Sequence, residues 1–109
     1  MNRGEIWTVA GGEGYAAKPR PVVIVQDRLF AELNSITICP FTSDPIDLPL
    51  FRILVEPSAG NGLRLASRIM VDKITTVAKS KLGRRIGQLS DQDLLRLNRA
   101  IVVFLGLAT

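Results

Sequence analysis

The sequence predicts a mainly β chain, one small and strongly bent barrel finished by a single C-terminal helix. Three observations predict it. Short runs rich in β-branched residues recur, each bounded by Gly, Pro or polar residues. The intervals between them are mostly shorter than the crossovers of roughly a dozen residues that parallel strands need. Only the last segment carries a helical period. With 109 residues, 47% of them apolar, the chain has material for one packed core and not for two, so residues 1–109 are read as a single domain.

The first run is Glu5-Ile6-Trp7-Thr8-Val9. A loop follows, Gly11-Gly12-Glu13-Gly14-Tyr15-Ala16-Ala17-Lys18-Pro19, whose length and glycine content fit a segment beside a functional site. Pro21-Val22-Val23-Ile24-Val25 is the second run, residues 27–34 allow one helical turn, and residues 35–41 and 50–55 repeat the strand pattern. Residues 66–71 and 84–89 bring the expected strands to five or six, a number suited to a small barrel. Ser90-Asp91-Gln92-Asp93 then reads as an N-cap with acids in the first turn. Leu94, Leu97, Ile101, Phe104 and Leu105 recur at helical spacing, which predicts a helix over 91–105 with Arg96 and Arg99 toward solvent. Val102, Val103 and Leu107 widen its apolar stripe beyond what a small core requires, leaving part of it for a partner.

No stretch approaches the roughly 20 apolar residues of a membrane span, and the opening residues lack the apolar core of a secretion signal, so a cytoplasmic protein is expected. A lone Cys39 within an apolar run fits a reducing compartment and reads as a small core residue. Fourteen basic against ten acidic residues leave a net charge of +4, a balance that favours polyanionic partners without requiring them. The excess is local. Residues 60–89 hold Arg64, Arg68, Lys73, Lys79, Lys81, Arg84 and Arg85 against the single acid Asp72. Either a nucleic-acid surface or a solvated basic edge that discourages aggregation explains that segment.

The absence of histidine removes the commonest general acid–base and the commonest metal ligand together. With one cysteine a zinc site is excluded, and the scattered acids form no paired motif for magnesium, so neither metal nor cofactor is expected. The segment Gly11-Gly12-Glu13-Gly14 lacks the ending of a phosphate-binding P-loop. RNA needs none of these, because its 2′-hydroxyl is a built-in nucleophile. An enzyme that grips the phosphate with arginine and donates a Thr or Ser hydroxyl to it can stabilise the in-line transition state.

The strings Arg3-Gly4-Glu5-Ile6-Trp7, Lys18-Pro19-Arg20-Pro21-Val22-Val23-Ile24-Val25-Gln26, Cys39-Pro40-Phe41-Thr42-Ser43 and Val71-Asp72-Lys73-Ile74-Thr75-Thr76-Val77, then Lys81-Leu82-Gly83 and Phe104-Leu105-Gly106-Leu107, stand in order along the chain. Together they resemble the successive motifs of the MazF/PemK family of toxin endoribonucleases. That resemblance implies an SH3-like barrel of the CcdB/PemK type with a C-terminal helix, a homodimer, and an acidic antitoxin as partner. It further implies metal-independent cleavage of single-stranded RNA to 2′,3′-cyclic phosphate and 5′-hydroxyl ends.

The family's reactive arginine falls on Arg20 and its hydroxyl on Thr42, with Glu13 a candidate general base in a loop whose register differs from the family's G-S-E-Q-x-G form. Lys18, Ser43, Arg68, Asp72 and Lys73 are candidates for RNA contact. An arginine that part of the family carries two residues before the aspartate is Met70 here. Strand alternation would put Arg68, Met70 and Asp72 on one face, where Arg68 either reaches the groove or simply pairs with Asp72. Taken alone, Arg20 and Thr42 are equally explained by a nearby carboxylate and a turn cap. The rival function is that of the CcdB-like gyrase inhibitors, which end in Trp-Gly-Ile. Here the tail is Phe104-Leu105-Gly106-Leu107-Ala108-Thr109 and the only tryptophan is Trp7, which counts against an aromatic anchor there.

Overall fold

The computed structural model describes residues 1–10 and 18–108. Among them are seven strands and one α-helix: β1 (Glu5–Val9), β2 (Arg20–Ile24), β3 (Ser35–Thr42), β4 (Arg52–Val55), β5 (Ser67–Met70), β6 (Thr75–Ala78), β7 (Leu82–Gln88) and α1 (Asp91–Phe104). Every strand pairing is antiparallel, and the hydrogen-bonded path runs β4-β5-β3-β2-β1-β7, with β6 attached to β3.

The long strand β3 organises the sheet. One edge pairs with β2, while the other pairs with β6 through Ser35–Ile38 and then with β5 through Phe41 and Thr42. Cys39 and Pro40 occupy the interval between those two partners, so a residue without an N–H sits where the ladder is interrupted anyway. That change of partner bends the sheet around two apolar clusters. The larger gathers Ile6, Val23, Cys39, Phe41, Ile53, Val55, Ile69 and Val71 with Leu97 and Ala100 of the helix. The smaller gathers Val22, Ile24, Ile36 and Ile38 with Trp7, Val9, Val77 and Leu82. Val23 therefore faces one cluster and its neighbours Val22 and Ile24 the other, as strand alternation requires. Burial in this apolar setting pushes the Cys39 thiol up to about 12.

The strand β6 is the element that the sequence pattern missed. Thr75-Thr76-Val77-Ala78 is short and mostly exposed, held along one edge by β3, so it carries little of the alternation that marks a half-buried strand. The helix begins where expected, with the Ser90 hydroxyl accepting from the Asp93 N–H at 3.1 Å and Asp91 and Asp93 in the first turn. It ends one residue earlier than the pattern, before Gly106 at φ +73°. Arg3 ties the chain start to this layer, donating to the Val25 carbonyl at 2.9 Å and to the Asn98 side chain. Arg96 reaches the Leu54 carbonyl at 2.9 Å and so closes part of the free edge of β4. Among the described residues no helix is long and apolar enough to cross a membrane.

Candidate functional site

The strands β2 and β3 pair in the register Val22 with Pro40, Val23 with Cys39 and Ile24 with Ile38. Continued two residues, that register sets Arg20 at the start of β2 opposite Thr42 at the end of β3. Both line one open cavity of about 540 Å³, together with Lys18, Ser43, Thr8, Arg64 and Arg84, over a floor that includes Phe41, Leu63 and Ile86. Its volume falls in the range of ligand-binding clefts.

Local structure holds Thr42 and the loop that carries Arg64. The Thr42 hydroxyl accepts from the Asp44 N–H at 3.1 Å, and the Asp44 carboxylate accepts from the Ile46 N–H at 3.1 Å, so the turn after β3 is pinned by its own side chains. A hydroxyl that accepts from the backbone keeps its own proton to give away. Thr42 is thus a turn cap and a donor at once. Arg64 stands on a loop organised by the buried Asn61, whose side chain accepts from the Ser58 and Leu63 N–H groups at 3.0 Å each and donates to the Glu56 carbonyl at 2.8 Å. That loop lies on β7: Gln88 donates to the Gly60 carbonyl at 2.9 Å, and a Cβ on Gly62 would stand 2.2 Å from the Ile86 carbonyl oxygen.

Among the described residues, the lining of the cavity contains four cations, Lys18, Arg20, Arg64 and Arg84, and no carboxylate. Among the described residues none of the four forms an ion pair; the pairs present are Arg52–Asp72, Arg85–Glu5 and Arg96–Asp93. Such a concentration of one sign in a concave site attracts anions.

The structure brings Lys18, Arg20, Thr42 and Ser43 together and leaves three of the expected contact residues elsewhere. Arg68 is opposite Thr42 across β3 and β5, and its guanidinium donates to the Asp44 carbonyl at 3.4 Å, bracing the turn from outside the cavity. β5 ends at Met70, and Val71–Lys73 forms a 3-10 turn, so the strand alternation expected to align Arg68 with Asp72 stops short of Asp72. Asp72 instead accepts two hydrogen bonds from Arg52, at 2.8 and 3.0 Å. That bidentate pair holds the Asp72 carboxyl below its ordinary range. Lys73 is exposed on the same turn. Glu13 lies outside the described residues. Thr8, Arg64 and Arg84 are among the cavity residues that the sequence did not mark as site candidates. Charge alone flagged Arg64 and Arg84 within the basic segment, yet only the fold separates them from Arg85, which is spent on Glu5 at 3.7 Å and on Gln88 at 2.8 Å.

The PemK-like, MazF-like toxin family of type II toxin–antitoxin systems matches residues 2–105. The chain belongs to that family. It is similar to the "Probable endoribonuclease MazF" of Mycolicibacterium smegmatis, 47% identical over 108 residues that cover 99% of both chains. Endoribonuclease MazF9 of Mycobacterium tuberculosis is 31% identical over 117 residues, covering 98% of each. Among solved structures, a mycobacterial endoribonuclease in complex with its cognate antitoxin superposes with a TM-score of 0.79 at 22% identity, covering 100% of this chain and 98% of that one. At that identity the superposition establishes the MazF-like fold. The chain is a homologue of MazF endoribonucleases.

Proposed function

We propose that this MazF homologue is a toxin that cuts single-stranded RNA without a metal ion. The observation that carries the reading is the placement of Arg20 and Thr42 across from each other in a cavity whose described lining residues include four cations and no carboxylate. A scissile phosphate held there receives charge-assisted hydrogen bonds from the Arg20 guanidinium and one from the Thr42 hydroxyl. The neighbouring 2′-hydroxyl attacks phosphorus, the bond to the 5′-oxygen breaks, and the products carry a 2′,3′-cyclic phosphate and a 5′-hydroxyl. Arg20 balances the charge that builds on the phosphoryl oxygens, and Thr42 orients the phosphate for in-line attack. The proton on the 2′-hydroxyl passes to a base, for which Glu13 is the candidate, and the departing 5′-oxygen takes up a proton from solvent.

The test is incubation of purified protein with a mixed RNA pool in excess EDTA, followed by mapping of the ends. Ends that a 5′-kinase labels without phosphatase treatment support the reading; cleavage abolished by EDTA and restored by magnesium overturns it.

In the same reading the protein acts in the cytoplasm as a homodimer and is silenced by an acidic antitoxin. Its support is the exposed apolar end of the helix, where Val103, Phe104, Leu105 and Leu107 are 44 to 74% exposed, and the uncompensated cations of the cavity. In the same reading the sheet curls into an SH3-like barrel, and the support is the loop 58–62, which lies against β7. Sedimentation at micromolar concentration checks the dimer: a species of 11.9 kDa refutes it.

A further inference from the structure

Strands β1 and β7 pair Trp7 with Arg85 and Val9 with Leu82, so two steps along β1 are matched by three along β7. The extra residue makes a bulge at Gly83 and Arg84, opposite Thr8. Leu82 packs with Trp7 and Val9 in the smaller cluster, whereas Arg84 and Ile86 line the cavity. In an unbroken strand residues 82, 84 and 86 would share one face. The bulge is what turns Arg84 to the cavity. It is held there by the Arg84 N–H, which donates to the Thr8 hydroxyl at 3.1 Å, and by Gly83, where a Cβ would stand 2.5 Å from the same oxygen. Bulges are used beside functional sites to re-aim a side chain in this way.

Among the described residues, four cations in one cavity offer more positive charge than a single phosphodiester, with its one negative charge, neutralises. The lining has charge for a further anionic group. Resting on the RNA-cleaving reading above, we infer that Arg84, with Arg64 beside it, forms a second phosphate subsite. It holds a linkage flanking the scissile one while Arg20 and Thr42 hold the scissile phosphate itself. Arg84 is rooted two strands away from Arg20, across β1, a backbone separation of roughly 10 Å at the usual strand spacing. Two arginines so rooted grip successive points on one strand of backbone. The subsite therefore sets affinity and register on the RNA, and the bond-breaking step belongs to Arg20 and Thr42.

The experiment uses an RNA oligonucleotide spanning a mapped cleavage site, made uncleavable by a 2′-deoxy sugar at the attacking position. Its binding to wild type, Arg84→Ala, Arg84→Gln and Arg64→Ala protein is measured across a salt series, with thermal melts to confirm folding. Arg84→Ala and Arg84→Gln are expected to bind about tenfold more weakly, the scale of one charge-assisted contact, with melts unchanged. The slope of log affinity against log salt should become shallower by about 0.7, one phosphate contact on a single strand. A neutral methylphosphonate at the flanking linkage should weaken wild type equally and add nothing to Arg84→Ala. Wild-type affinity and slope in both Arg84 variants, or a methylphosphonate effect confined to the scissile linkage, overturns the subsite. If wild type neither cuts nor binds RNA, the RNA reading falls and this subsite with it. If cutting depends on Arg20 while the Arg84 variants bind normally, the subsite alone falls.

Discussion

Arg20 and Arg52 each open a strand, and they meet opposite surroundings. Arg52 lies against the Phe51 ring at 5.8 Å and donates two hydrogen bonds to Asp72, both side chains being largely buried at 15% and 20% exposure. Arg20 opens into a cavity whose lining, among the described residues, includes three more cations and no acid. One arginine is neutralised inside the fold and serves its stability. In the proposed function the other is left for a ligand to neutralise, an arrangement that becomes favourable when an anion arrives. The neighbours, rather than the residue type, separate a structural arginine from a functional one.

The largest expected effect breaks the comparison on the functional side. Arg20→Ala and Thr42→Ala should each lower RNA cleavage at least ~100-fold, the scale for loss of a transition-state donor. Because Arg20 is exposed, Arg20→Ala should not shift the unfolding midpoint appreciably, whereas Thr42→Ala also removes the acceptor of the Asp44 N–H and should lower it slightly. Wild-type cleavage by folded Arg20→Ala protein would remove Arg20 from the site.

Arg52→Ala should show the converse. Removing it leaves the Asp72 carboxylate half-buried without its bidentate partner, at a cost of about 1–2 kcal/mol, between the values for exposed and fully buried pairs. Cleavage per folded molecule should stay near wild type, since neither residue lines the cavity. Urea titration and cleavage assays on one preparation separate the two outcomes; a stable but inactive Arg52→Ala protein would place that arginine with Arg20 after all.

Much of this was legible in the chain and some was not, for identifiable reasons. The β-branched runs and the capped periodic helix announced themselves because burial writes a period into a sequence. Thr75–Ala78 did not, because an exposed edge strand of four residues has no buried face to write. Arg20 and Thr42 could be placed by motif, and their meeting follows from the register of β2 on β3. Arg84 could not. Its neighbour Arg85 has the same charge and propensity, and only the bulge against β1 decides which of the two enters the cavity. The partner of Asp72 was not legible for a related reason. Alternation along β5 held only to Met70, and its partner Arg52 is twenty positions away in sequence.

The smallest effect is a dependence on pH that the structural arginine should show and the functional one should not. The hydrogen bonds from Arg52 hold the folded-state pKa of Asp72 below that of the unfolded chain, ordinarily about 3.9. The folded state therefore binds this proton less readily than the unfolded state does. Stability from the pair is complete above the unfolded value and is lost as pH falls through the lower, folded one. Asp72→Asn removes the titrating group, so its deficit relative to wild type should be constant near neutrality and shrink below about pH 4. Urea midpoints for both proteins from pH 7 downward measure that gap. A gap that stays constant through the carboxylate range would mean that Asp72 titrates alike in both states and that the pair with Arg52 contributes nothing in solution. Arg20→Ala, which removes no carboxylate contact among the described residues, should follow wild type in parallel over the same interval.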